Sequence, residues 1–376
     1  MTTGTTPDIA PVAGTAPPGS VARDALAERL FGSLLESMEL LSVHLGTELG
    51  LYAALDTGGP ATPLELAERA GIHPRYAREW LEQQAATGIL VVSDDEVDDG
   101  DRRRFALPGG HAEALLDPDS PAAVASVAPA LLGIARVFER LVTSYRSGGG
   151  VAFGDFGPGI RHGIAGMNRP MFIHDVGSWL AAAPGVSGQL RRLAEPRVLD
   201  VGCGTGWSTI ALARALPSAR LLGIDLDEAS VEEASRHAIA AGVADRVSFE
   251  VRDAATGPGV STFDLACVFE ALHDMGDPVG ALAAIRGCLA EGASVVVADE
   301  RVGETFSAPA DFNDRFMYAW SVLHCLPATM AEDPKVATGT VMRASTLRHY
   351  ATEAGFTSVE ELPIDNDFWR LYHLRR

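Results

Sequence analysis

Residues 198 to 213 read VLDVGCGTGWSTIALA, an apolar run followed by three strictly alternating glycines, Gly202, Gly204 and Gly206. Glycine reaches backbone conformations closed to other residues, so this run lets the chain turn sharply against a ligand. A dinucleotide-binding turn spaces its glycines G-x-G-x-x-G and brings a helix N-terminus onto a pyrophosphate. The spacing here differs, and Asp200 stands inside the run just before the turn. A carboxylate there suits an ammonium group better than a diphosphate. Nineteen residues after Gly206, the second apolar run ends in GID, where Asp225 can take both hydroxyls of a ribose. A third run ends in VRDA, with Asp253 placed to accept from an adenine amino group and Ala254 to donate a backbone N–H. An amino-acid end, a ribose and an adenine without phosphate describe S-adenosylmethionine, with S-adenosylhomocysteine as the product left after transfer.

A second group of reactive side chains lies further on. Phe269 closes the fourth apolar run, and His273 follows in FEALHDMGD. Methyl transfer is an in-line displacement that needs a lone pair on the acceptor. A phenol or enol must lose its proton, and His is the side chain suited to accept it near neutral pH. A His that only positions the substrate fits the same residues. Glu300 ends the fifth run and is a candidate to orient the imidazole, with Asp299 as its direct competitor. The stretch DFNDRFMYAWSVLHC puts Phe312, Phe316, Ala319 and Leu323 on one helical stripe. Such a stripe serves a core as readily as a pocket, and Tyr318, Trp320 and His324 are the candidates to line an acceptor site. His273 and His324 could share a metal, but no third ligand is evident and no metal is expected.

These residues need a frame. From residue 196, short apolar runs alternate with amphipathic stretches, a pattern for a parallel sheet with helices on both faces. Upstream, residues 23–110 read as one or two long helices, two short helices and a hairpin, which together form a winged helix. Its second short helix holds Arg75 and Arg78 beside Glu79 and Glu82, and its wing holds Asp94, Asp95, Glu96, Asp98, Asp99 and Asp101 against three arginines. A groove-reading wing needs the opposite balance. The whole chain carries 30 Lys and Arg against 50 Asp and Glu, a formal charge of −20 that repels nucleic acid. Residues 111–190 form a helical linker in which SGGGVAFGDFGPGIRHGIAGMNRP reads either as an active-site flap or as a long connection. Residues 1–22 read as a disordered tail without a secretion signal, and no apolar run is long enough for a membrane span. Cys203, Cys267, Cys288 and Cys325 are too scattered for a metal knuckle and fit buried thiols in a reducing cytoplasm.

Over residues 191–376 the glycine turn, Asp225, Asp253 and FEALHDMGD resemble the class I S-adenosylmethionine-dependent methyltransferases. With the winged helix, the chain is similar to the dimeric O-methyltransferases of plant phenolic and bacterial polyketide metabolism, and to actinobacterial methyltransferases of the same layout. The resemblance implies an α/β, Rossmann-like seven-stranded sheet and a homodimer formed through the N-terminal helices. It also places Phe269 and Glu270 near the methionine half of the cofactor, makes His273 the base, and builds the small-molecule acceptor site in the insertion after the fifth strand. Met275 departs from the Trp of those enzymes. Methylation at carbon or nitrogen is a second reading on the same scaffold. A winged-helix regulator that senses S-adenosylmethionine is a third, from another functional class.

Overall fold

The computed structural model describes residues 20–93, 99–259 and 262–376. Most of the tail and the wing acids Asp94, Asp95, Glu96 and Asp98 lie outside them. Helix α1, Ser20–Glu48, starts three residues inside the stretch read as tail, and it ends where Gly50 turns left-handed at φ 66° before α2, Leu51–Gly58. Thr62 and Glu65 form a reciprocal capping box that opens α3, Pro63–Ala70. Helix α4, Pro74–Ala86, leads into a hairpin of β1, Val91–Val92, and β2, Phe105–Ala106, with Ala61 bridged to Phe105. Leu51, Tyr52, Leu66, Trp80, Leu81 and Phe105 close the core between these elements. Arg78 is held by Glu82 and Asp101, both at 3.1 Å, and Arg75 pairs with Glu79.

After α5, Gly109–Leu116, come α6, Val127–Arg136, and α7, Phe138–Ser147. The glycine-rich stretch that follows is helical for most of its length. It makes a 3₁₀ turn at Phe153–Phe156 and then the 25-residue helix α8, Pro158–Ala182. Its glycines serve close packing. A Cβ at Gly163 would stand 2.6–2.8 Å from the Cβ and backbone of Ala130, and one at Gly159 would stand 2.7 Å from the Pro129 carbonyl. Gly133 on α6 answers them, with a Cβ there 2.7 Å from the Ile160 nitrogen. Missing side chains on both helices let α6 and α8 touch along their backbones.

The short α9, Val186–Leu190, leads into a seven-stranded sheet. Its strands are β3 (Arg197–Val201), β4 (Arg220–Asp225), β5 (Val247–Val251), β6 (Phe263–Phe269), β7 (Leu289–Glu300), β8 (Ser358–Glu361) and β9 (Trp369–Arg375). They lie in the order β5-β4-β3-β6-β7-β9-β8, and only β9 runs against its neighbours. Helices α10, Trp207–Ala215, α11, Glu228–Ala240, α12, Pro278–Cys288, and α15, Ala344–Glu353, cover the two faces over separate apolar cores. The insertion after β7 folds as α13, Phe312–Trp320, a π-helical turn, Ser321–Cys325, and α14, Leu326–Met330. From β3 the chain passes to β4 on one side, and β6 pairs with β3 on the other, so a crevice opens at their carboxyl ends. All four cysteines are buried and free of disulfides. No described helix is long and apolar enough to cross a membrane.

Candidate active site

A cavity of about 580 Å³ occupies that crevice. Gly202 and Gly204 after β3, Asp225 at the end of β4, Asp253 and Ala254 after β5, and Glu270 after β6 line it. The apolar wall comes from Phe153, Ile164 and Ala328. Gly202, Gly204 and Gly206 take φ values of 71°, 50° and 85°, all left-handed. A Cβ at Gly204 would meet no heavy atom within 4 Å, which leaves a smooth floor for a ligand. The Gly204 N–H donates to Asp225 Oδ2 at 2.8 Å and the Asp227 N–H to Asp225 Oδ1 at 2.9 Å. These bonds fix the carboxylate, and each oxygen keeps a lone pair for a hydroxyl. Asp253 accepts the Ala255 N–H at 2.8 Å and caps the turn Ala254–Thr256. The open cradle at Gly204 and the fixed carboxylate of Asp225 fit the adenosine half of S-adenosylmethionine.

Three residues expected at the cofactor do not line the cavity. Asp200 is 1% exposed and accepts the hydroxyls of Ser208 and Thr209, both at 2.6 Å. Burial pushes its pKa up to about 6. Its Oδ2 braces the start of α10. Gly206 sits at the N-cap of α10 because a Cβ there would stand 2.8 Å from the Ala234 Cβ on α11. Phe269 packs in an aromatic core with Phe172 and Trp179, at ring separations of 6.0 and 5.6 Å.

His273 is buried one layer behind the cavity wall. Its Nδ1 bonds Asp299 Oδ1 at 2.8 Å, and its Nε2 stands 3.3 Å from Asp274 Oδ1, whose residue lines the cavity. The acid in contact with the imidazole is therefore Asp299 and not Glu300. Successive β-residues point to opposite faces, and the imidazole lies on the face that Asp299 reaches. Burial opposes a charge on His273, but Asp274 and Asp299 hold its pKa well above 6.5. Glu300 is buried beside Glu270 instead, and burial raises both carboxyls, that of Glu270 to about 8.

The acceptor candidates are also displaced. His324 is fully buried, edge-on to Phe153 and Phe156 at 5.6 and 4.8 Å, and burial lowers its pKa to about 4. Trp320 packs edge-on to His324 at 5.9 Å, and Tyr318 Oη accepts from Arg343 at 3.4 Å. His324 and Trp320 pack in one layer with Phe153, and neither they nor Tyr318 line the cavity. Among the described residues, the donor atoms that gather within 4.8 Å of one another belong to His273, Asp274 and Cys325, and His324 is not a member of that group. Reading residue types singly missed Asp274, although it lies in the same quoted motif. Arg161, within the glycine-rich stretch, reaches Asp227 Oδ2 with its Nε at 2.9 Å.

Residues 194–355 match the family described as a methyltransferase domain, and residues 37–116 match an Rv2258c-like winged HTH domain. The chain therefore carries a methyltransferase domain preceded by a winged HTH domain. It is similar to the tetracenomycin polyketide synthesis 8-O-methyl transferase TcmO of Streptomyces glaucescens, at 29% identity over 83% of this chain and 86% of that one. It is also similar to the 27-O-demethylrifamycin SV methyltransferase of Amycolatopsis mediterranei, at 40% identity over 24% of this chain and 34% of the other. The first curated relatives are spanned for only a quarter to a third of their length, 26% and 34%. Among solved structures, the mitomycin 7-O-methyltransferase MmcR superposes with a TM-score of 0.68 at 24% identity, over 95% of this chain and 100% of that one. That likeness establishes the shared fold: a helical N-terminal region followed by the Rossmann-like methyltransferase sheet.

Proposed function

We propose that this methyltransferase moves a methyl group from S-adenosylmethionine to an oxygen of a small, partly apolar acceptor. When bound, the cofactor supplies an electrophilic methyl group on a sulfonium sulfur. Gly202, Gly204, Asp225, Asp253 and Ala254 hold its nucleoside end, and Phe153, Ile164 and Ala328 hold the acceptor. The observation that carries the reading is the line Asp299–His273–Asp274, which ends at the cavity wall. In this reading His273 takes the proton of the acceptor hydroxyl, and Asp274, between Nε2 and the cavity, is the group through which it arrives. Asp299 keeps the Nδ1 proton in place and balances the imidazolium that forms. The O-methyl transferase named for Streptomyces glaucescens supports oxygen over carbon or nitrogen.

The protein works in the cytoplasm as a homodimer in this reading, joined through the apolar stripe of α1. Arg78, neutralised by Glu82 and Asp101, gives no support to a DNA-binding regulator. Mass spectrometry of products after incubation with S-adenosylmethionine and a panel of phenols, 2-oxo acids and amines tests the assignment. A gain of one methyl group on phenols is expected, and methylation confined to carbon or nitrogen would overturn it.

A further inference from the structure

We infer that Glu270 is the carboxylate that receives the cofactor's ammonium group. The inference rests on the reading of the cavity as an S-adenosylmethionine site. Across the sheet the strands run β5, β4, β3, β6, and the cavity groups at their ends follow the same order. Asp253 takes the adenine, Asp225 the ribose, and the open floor at Gly204 comes next. The ligand then continues toward β6, where Glu270 is the acid at the strand end. Ala271, its neighbour, packs where a Gly202 side chain would be, at 2.4 Å from that Cβ position, so Glu270 stands directly beside the glycine turn. Asp200, the other candidate, faces Ser208 and Thr209 and lies outside the cavity lining.

The backbone holds Glu270 in an unusual pose. Its φ is 52°, a left-handed value rare for a residue other than glycine, and its N–H is tied to the Ala298 carbonyl at 2.8 Å. Strain of this kind persists where the surrounding structure imposes it, and it clusters at ligand clamps. Four ionisable groups face the Glu270 carboxyl. His273 and Asp274 come from its own loop, and Asp299 and Glu300 come from the end of β7. Burial, then Asp274 and Asp299, push its pKa up to about 8 against the pull of His273. At neutral pH Glu270 therefore holds a proton before the ligand arrives. An arriving ammonium group favours the ionised carboxylate, and that proton leaves to solvent.

Calorimetric titration of the full chain at pH 7, in buffers of different ionisation enthalpy, tests this. The probes are S-adenosylhomocysteine, which carries the amino-acid end, and 5′-methylthioadenosine, which lacks it. Wild-type protein should release about one proton with the first probe and none with the second. Glu270→Gln should abolish the release and weaken S-adenosylhomocysteine at least about tenfold, the loss of a charged hydrogen bond. It should leave 5′-methylthioadenosine within about twofold of wild type, which also shows that the variant is folded. No proton release from wild type, or unchanged S-adenosylhomocysteine affinity in a variant that still binds 5′-methylthioadenosine, would overturn the assignment. Should neither nucleoside bind wild type, the cofactor reading itself fails and this inference with it.

Discussion

An imidazole between two carboxylates stays charged further into the alkaline range than a free one. Asp274 and Asp299 hold His273 well above 6.5 against burial, so the form able to accept a proton appears only as pH rises. Turnover should accordingly climb with pH, with the midpoint of its acid limb above neutrality. Asp274→Asn removes one of the two charges and should move that midpoint down; a pH–rate profile of both proteins reads it directly. His273→Ala should lower turnover by about 10²–10⁴-fold while S-adenosylhomocysteine still binds. Asp299→Asn should approach that loss, whereas Glu300→Gln should fall far short of it. At the neighbouring site, Asp225→Ala removes a carboxylate fixed by two backbone N–H groups, and calorimetry should show cofactor affinity reduced about tenfold or more. The cavity residues Gly202, Gly204, Asp225, Asp253 and Ala254 were legible in the sequence because strand ends position them by chain order alone. The choice of Asp299 over Glu300 was not. It depends on which face of β7 meets the loop after β6, and adjacent acids read alike in a sequence.

The elements around the site show the same division. Alternating runs and amphipathic stretches specified the sheet and its helices, since each strand and helix declares its own period. The glycine-rich stretch was ambiguous because glycine has two uses, freedom and absence of bulk, and a sequence cannot tell them apart. On α8 the second use wins. The two uses predict opposite signs for one substitution. Gly→Ala on a helix gains about 1 kcal/mol of propensity where space is open. At Gly163, however, a Cβ would stand 2.7 and 2.8 Å from Ala130 backbone atoms, which cannot rotate away. Overpacking of that kind costs about 1–3 kcal/mol, so Gly163→Ala should destabilise the protein and Gly163→Val should do so more severely. Gly110 on α5 has no neighbour within 4 Å of its Cβ position, and Gly110→Ala should stabilise by about 0.4–1 kcal/mol. Urea denaturation of the three variants would separate the two roles. A stabilised Gly163→Ala would mean that the helices do not meet as described.

At the scale of the whole molecule, a face of α1 is left without a partner among the described residues. Phe31, Leu34, Met38, Leu41 and Leu45 recur along α1 at intervals of three and four residues, and their exposures run from 38% to 74%. This spacing is the seam of a left-handed coiled coil, and a soluble protein rarely leaves such a stripe in water. Two copies packed along α1 would cover it. The formal charge of −20 on each copy opposes that contact. Apolar burial and charge repulsion respond differently to salt, because added ions screen the repulsion and leave the burial in place. Light scattering should therefore show twice the chain mass, with dissociation on dilution suppressed as salt rises from about 0.05 to 0.5 M. The double variant Leu34→Glu/Leu41→Glu adds charge to the seam itself and should scatter as a single chain at all salt concentrations. Dissociation favoured by salt would instead point to an interface held by ion pairs and would remove α1 from its centre.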